Sequence, residues 1–102
     1  MLVSTENKGF QLTFKNGYTI SVQFGRGNYC SNRKSRLKPE EQISYKSVNA
    51  EVAAWDSFGD FVSLDGSSNP LMYCSADEVA ELINKVKSFP KIYRDDSLLQ
   101  TK

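Results

Sequence analysis

Between Gly9 and Phe24 apolar and polar residues alternate. Phe10, Leu12 and Phe14 occupy every second position of one run, and Tyr18, Ile20, Val22 and Phe24 do so in the next. Period two over such a length is the signature of a strand that buries one face. Asn16-Gly17 lies between the runs, where a positive φ costs the backbone little. The pattern also selects the register. A two-residue loop would set Phe14 opposite Thr19 and Leu12 opposite Ser21, apolar against polar. A three-residue loop, Lys15-Asn16-Gly17, sets Phe14 opposite Tyr18, Leu12 opposite Ile20 and Phe10 opposite Val22. A one-residue slip turns every side chain to the other face, so the second register is expected. It calls for a turn in which Gly17 is left-handed and forms a bulge.

Gly25-Arg26-Gly27-Asn28 breaks the alternation, and nothing periodic follows until about Lys46. That stretch divides into a compact, glycine-punctuated part to Asn32 and a charged part, Arg33 to Gln42, expected to be solvated. Alternation resumes from Ser47 to Trp55. Val48, Ala50, Val52 and Ala54 face one way; Asn49, Glu51, Ala53 and Trp55 face the other. The alanines make the first face thin, as suits a strand under a helix. Asp56 to Asp60 reads as a turn. Phe61 to Asp65 reads as a short strand, with Val62 and Leu64 on the core side and Phe61 beside Trp55 on the other. Leu71 to Cys74 reads as a last short strand.

Ser75-Ala76-Asp77-Glu78 is a capping box, with acids in the first helical turn. Val79, Leu82, Ile83 and Val86 then recur at the spacing of one helical face. Lys85 and Lys87 lie near the carboxyl end, and Pro90 stops the helix. Cys74 and Val79 are spaced as a hydrophobic staple. Residues 1–8 read as a polar lead-in ordered only from Lys8, and residues 91–102 as a mostly polar tail. The expected fold is α+β: an antiparallel sheet of four to five strands with one C-terminal helix packed on one face. The second face would carry Trp55, Phe61 and Phe58.

Composition narrows the function. A chain of 102 residues makes a single domain, 1–102. No stretch has the length and apolarity of a membrane span or signal peptide, so no membrane partner is expected. The net charge of +1 gives no general pull toward nucleic acid. Two distant cysteines, Cys30 and Cys74, read as free thiols in a reducing cytoplasm. The chain has no histidine, which excludes Ser-His and Cys-His dyads and histidine metal ligands. Asp56 and Asp60 flank a turn and read as surface carboxylates. The chain is therefore expected to be a non-enzyme, with no metal and no cofactor.

The remaining chemistry lies in Gly25 to Arg33. GRGN follows a strand but lacks the third glycine and following helix of a dinucleotide fingerprint, and the Gly-Lys-Ser/Thr of a Walker loop. Gly25 and Gly27 would let backbone amides form an anion nest. Arg26 and Arg33 offer planar forks suited to phosphate. Tyr29 offers a stacking plane, and Asn28 and Asn32 offer amides for a base edge. The candidate ligand-binding residues are thus Arg26, Asn28, Tyr29, Asn32 and Arg33, and the candidate ligand is a small nucleotide. A tight turn with a solvated basic loop is the plain alternative. Long nucleic acid fits poorly, because no recognition module is present.

The string GFxLTFxNGYTxSVQFGxGNYCxN, followed by a strand ending in Ala-Trp and a helix starting Ser-Ala-Asp-Glu-Val, resembles a group of small proteins from tailed bacteriophages and prophages. The resemblance spans most of Gly9 to Phe89. It implies a host bacterial cytoplasm and an anti-defence role. One form of that role is a sponge that sequesters a cyclic nucleotide or cyclic ADP-ribose immune signal without cleaving it. The alternatives it leaves open are a protein-protein inhibitor of a host defence enzyme and a structural or accessory phage protein.

One sheet backed by one helix leaves aromatic surface that a monomer seldom exposes. Self-association as a homodimer or higher oligomer is expected. Light scattering at micromolar concentration should report a species larger than the 11.5 kDa chain; a lone monomer peak would count against it.

Overall fold

The computed structural model describes residues 1–5, 8–34, 46–66 and 70–92. Most of the basic stretch 33–42 and of the tail after Pro90 lies outside them. The architecture is α+β. The strands are β1 (Leu2–Ser4), β2 (Gly9–Thr13), β3 (Thr19–Gln23), β4 (Asn49–Trp55), β5 (Phe61–Val62) and β6 (Leu71–Ser75), followed by helix α1 (Ala76–Lys87). They form one antiparallel sheet in the order β1-β2-β3-β4-β5, and β6 also pairs with β4. The helix packs on β3, β4 and β6.

The hairpin has the register that the apolar pattern requires. Phe10 pairs with Val22 and Leu12 with Ile20. The Phe14 amide donates to the Tyr18 carbonyl and the Gly17 amide to the Phe14 carbonyl, both at 2.9 Å. Gly17 has φ +89°, a value at which a side chain would be strained. The strand after Lys46 is likewise as the alternation requires: Ala50, Val52 and Ala54 are buried under the helix. Val48 is not. It precedes the strand and is 81 % exposed. The second hairpin is shorter than expected, with only Phe61–Val62 paired, yet Leu64 is buried and Trp55 lies opposite Phe61.

Two elements differ from the sequence reading. Among the described residues the sheet has six strands rather than four to five, because a strand, Leu2–Ser4, stands ahead of Lys8. It pairs Leu2 with Leu12, Val3 with Gln11 and Ser4 with Phe10. All three of its side chains are exposed, so main-chain pairing at a sheet edge holds it, and burial periodicity carries no trace of it. The other difference is in β6, where the pairing with β4 shifts between Ala50 and Val52. Tyr73 in this bulge has φ +56°, the left-handed region that bulky residues rarely adopt.

The helix is specified at both ends. The Ser75 hydroxyl accepts from the Glu78 amide at 3.2 Å, and the Glu78 carboxylate accepts from the Ser75 amide at 3.1 Å. Hydrogen bonding from Ser75, its amide foremost and its hydroxyl second, holds the Glu78 carboxyl below its ordinary range. Its inner face brings Val79, Leu82, Ile83 and fully buried Val86 onto a core of Ile20, Val22, Val52, Ala54, Leu64 and Cys74. Burying an aliphatic side chain as completely as Val86 contributes about 1.5–3 kcal/mol. At the carboxyl end the hairpin turn supplies the cap. The Asn16 side-chain amide donates to the carbonyls of Val86 and Phe89 at 2.9 Å each, and to that of Lys87 at 3.3 Å. Its oxygen accepts from the Tyr18 amide at 3.0 Å. Tyr18 and Phe89 meet edge to face beside it, with ring centroids 5.1 Å apart.

Asn16 thus joins the turn to helix carbonyls that have no partner within the helix. Asn16→Ala is expected to lower stability by about 1–3 kcal/mol in a denaturant titration. Asn16→Asp should cost more at neutral pH. It turns an acceptor, and a negative charge, toward carbonyl oxygens at the negative end of the helix dipole. Equal losses for both variants would show that the amide donors are not what matters.

Candidate ligand-binding loop

Strand β3 ends at Gln23, and the chain then folds into a tightly bonded loop from Phe24 to Lys34. Gly27 has φ +86°, with open space around it. Its amide donates to the Arg33 carbonyl at 3.0 Å, and the Arg33 amide to the Cys30 carbonyl at 3.1 Å. The Asn28 side-chain oxygen accepts from the Gly25 amide at 3.1 Å. The Asn32 side chain donates to the carbonyls of Phe24 at 2.9 Å and Lys46 at 2.8 Å, tying the two ends of the excursion together. Cys30 is buried beneath, with its thiol 3.5 Å from the Gly25 carbonyl.

The loop rests on the face of the sheet opposite the helix. Glu51 and Asn49 of β4 hold it: the Glu51 carboxylate accepts from the Tyr29 amide at 3.0 Å, and the Asn49 side chain from the Ser31 amide at 2.7 Å. The Tyr29 carbonyl accepts from the Tyr73 amide at 3.0 Å, so the β6 bulge is stitched to the same loop. Tyr29 is 36 % and Tyr73 51 % exposed. Above Tyr29, the Arg33 guanidinium lies 4.0 Å from the ring centroid, a cation–π contact. Arg26 is exposed, and its side chain makes no hydrogen bond or ion pair among the described residues.

The five residues singled out from the sequence therefore lie on one small loop with different duties. Asn28 and Asn32 use their amides to build the loop. Arg26, Arg33 and Tyr29 present outward chemistry. The expected anion nest is not formed. The amides of Gly25, Gly27, Tyr29 and Ser31 all donate within the protein, and a carboxylate already occupies the Tyr29 amide. Any anion recognition falls to the guanidinium groups. Asp56, read from the sequence as a surface carboxylate, is instead buried and accepts from the amides of Phe58 at 2.8 Å and Asp60 at 3.1 Å. It shapes the β4–β5 turn.

Sequence reasoning missed Glu51, Asn49 and Tyr73. The first two carried a readable signal: an amide and a carboxylate at alternate positions, on the strand face turned away from the helix. Tyr73 carried none, since a bulge arises only once β6 pairs with β4. Both cysteines are free thiols. Burial pushes the Cys74 thiol above its ordinary range, aided by the negative charges of Glu78 and Asp65. Among the described residues no cluster of three acids or thiols could hold a metal ion, and no helix is long and apolar enough to cross a membrane.

Comparison with family models, with curated proteins and with solved structures finds no match for this chain.

Glu51 anchors the loop through a charge-assisted bond at a half-exposed site. Glu51→Ala should cost about 1 kcal/mol and accelerate hydrogen exchange at the Tyr29 amide, read by NMR. Glu51→Gln retains an acceptor and should leave that exchange close to wild type. Unchanged exchange in Glu51→Ala would mean the loop is held elsewhere.

Proposed function

We propose that the protein binds a small phosphate-bearing nucleotide at the Phe24–Lys34 loop and sequesters it unchanged. The observation that carries this reading is the Arg33 guanidinium stacked on Tyr29, on the same loop as the exposed Arg26, whose side chain has no partner among the described residues. A guanidinium held by an aromatic ring keeps its planar edge available for two phosphate oxygens. The guanidinium also donates from one terminal nitrogen to the Gly27 carbonyl at 3.4 Å, which holds it in place before a ligand arrives, lowers the ordering cost of binding and leaves its remaining N–H groups for phosphate oxygens. A chain without histidine, whose buried Asp56 is committed to a turn, has no evident group to cleave what it holds. In the phage setting implied by the sequence resemblance, the bound molecule is a cyclic nucleotide or cyclic ADP-ribose immune signal. Acting there requires the bacterial cytoplasm, and an oligomer would multiply the sites.

A second reading has its own observation. Phe61 is 64 % and Phe58 44 % exposed at the β4–β5 turn, an aromatic corner suited to the surface of a host defence enzyme.

The test is a titration with cyclic dinucleotides and ADP-ribose isomers, followed by heat release of the bound molecule. Recovery intact is expected; recovery altered would make the protein an enzyme. Arg26→Ala should weaken binding about 10- to 100-fold, since a charge-assisted bond contributes roughly 1.5–3 kcal/mol. Its stability should hardly change, because an exposed loop arginine supports no core. Binding unaffected by Arg26→Ala and Arg33→Ala would overturn the loop as the site. No binding by any of these nucleotides would favour the inhibitor reading.

A further inference from the structure

The loop covers only the Asn49 end of the sheet face that lacks a helix. The rest of that face is a trough of about 430 Å³, within the range of small-ligand pockets. Cross-strand register explains its shape. Gln11, Ser21 and Ala53 lie in one row across β2, β3 and β4, so the two small side chains sink the middle of the floor. Gln23 and Glu51 pair in the next row, and Trp55 and Phe61 form the far wall, edge to face with centroids 5.7 Å apart.

The floor is ordered before any ligand arrives. The Thr5 hydroxyl donates to the Gln23 side-chain oxygen at 3.0 Å, and the Gln23 amide donates to the Ser21 hydroxyl at 3.1 Å. Gln11 makes no side-chain bond among the described residues, so its amide is left to donate and accept. Among the described residues no lysine or arginine lines the trough, and Glu51 is the one charged residue of its lining. Such a lining rejects phosphate. It suits a flat, uncharged ring system with amide-like donors and acceptors, and hydroxyls that can donate to a carboxylate. Glu51 links the trough to the loop: one of its oxygens holds the Tyr29 amide, and the other has no hydrogen-bond donor among the described residues.

We propose that this trough receives the base and sugar of a nucleotide whose phosphates lie against Arg26 and Arg33. The base stacks on Trp55 and is read by Gln11, and Glu51 accepts from sugar hydroxyls. The assignment rests on the nucleotide reading of the loop, but its chemistry is separate and separately testable.

Trp55 is the only tryptophan, so its fluorescence reports on the trough alone. The full chain is titrated with ADP-ribose, a cyclic dinucleotide, adenosine, guanosine and inorganic pyrophosphate, following both heat and Trp55 emission. The nucleotides should release heat and quench Trp55, whereas pyrophosphate should bind without quenching. Gln11→Ala should weaken the nucleotides roughly 3- to 10-fold, as for loss of a neutral hydrogen bond, and leave pyrophosphate unchanged. Heat from nucleotides with silent Trp55 and no effect of Gln11→Ala would overturn the trough and leave the loop reading intact. Quenching by the nucleosides that is sensitive to Gln11→Ala but not to Arg26→Ala, with no pyrophosphate binding, would sustain the trough and overturn the loop. Trp55 emission that follows protein concentration and ignores every nucleotide would assign the trough to a second copy of the chain, and overturn the proposal.

Discussion

The Asn16 side chain joins parts of the chain that sequence keeps far apart. It sits in the turn of the first hairpin and donates to carbonyls at the carboxyl end of the only described helix. A three-residue turn is required by the alternation on either side, and that turn sets Asn16 against the helix end. The Val86 carbonyl also accepts from the Phe89 amide at 3.2 Å, so Asn16 adds a second donor there and supplies one to the carbonyls of Lys87 and Phe89. The position of the helix end then follows, and with it the packing of Val86 in the core and of Phe89 on Tyr18. The helix is capped at its start by its own residues and at its finish by a distant one.

Strand β4 does two jobs with its two faces. Ala50, Val52 and Ala54 form a thin floor that lets α1 approach closely. Asn49 and Glu51, on the other face, hold the Phe24–Lys34 loop by its amides. The loop is therefore a fixed part of the sheet's second face, with its main chain spent on internal bonds. What it offers outward is side-chain chemistry: two guanidinium groups and an aromatic ring. That division matters for recognition. Backbone nests bind anions at close range and with little selectivity, whereas planar forks prefer oxygens in a defined plane.

Much of the fold was legible in the sequence because periodicity records which face a residue buries. Period two selected the hairpin register and the facing of β4, and the Ser75–Glu78 box with the Val79–Val86 stripe marked the helix. Tight turns were legible for the same local reason, since Gly17 is required by steric limits within a few residues. The clustering of Arg26, Asn28, Tyr29, Asn32 and Arg33 was legible because they are neighbours in sequence. Strand β1 was not legible: its side chains are exposed, and edge pairing leaves no hydrophobic trace. The duties of the loop residues were not legible either. Whether Asn28 reads a ligand or closes a turn depends on where the Gly25 amide points, and whether an amide is free depends on Glu51, distant in sequence and placed by sheet pairing. The left-handed Tyr73 and the trough between Gln11 and Trp55 likewise arise from registers between strands. Faces and turns are encoded by short-range sterics and burial, so the sequence determined them; partners of polar groups are set by long-range pairing, so only the tertiary structure decided them.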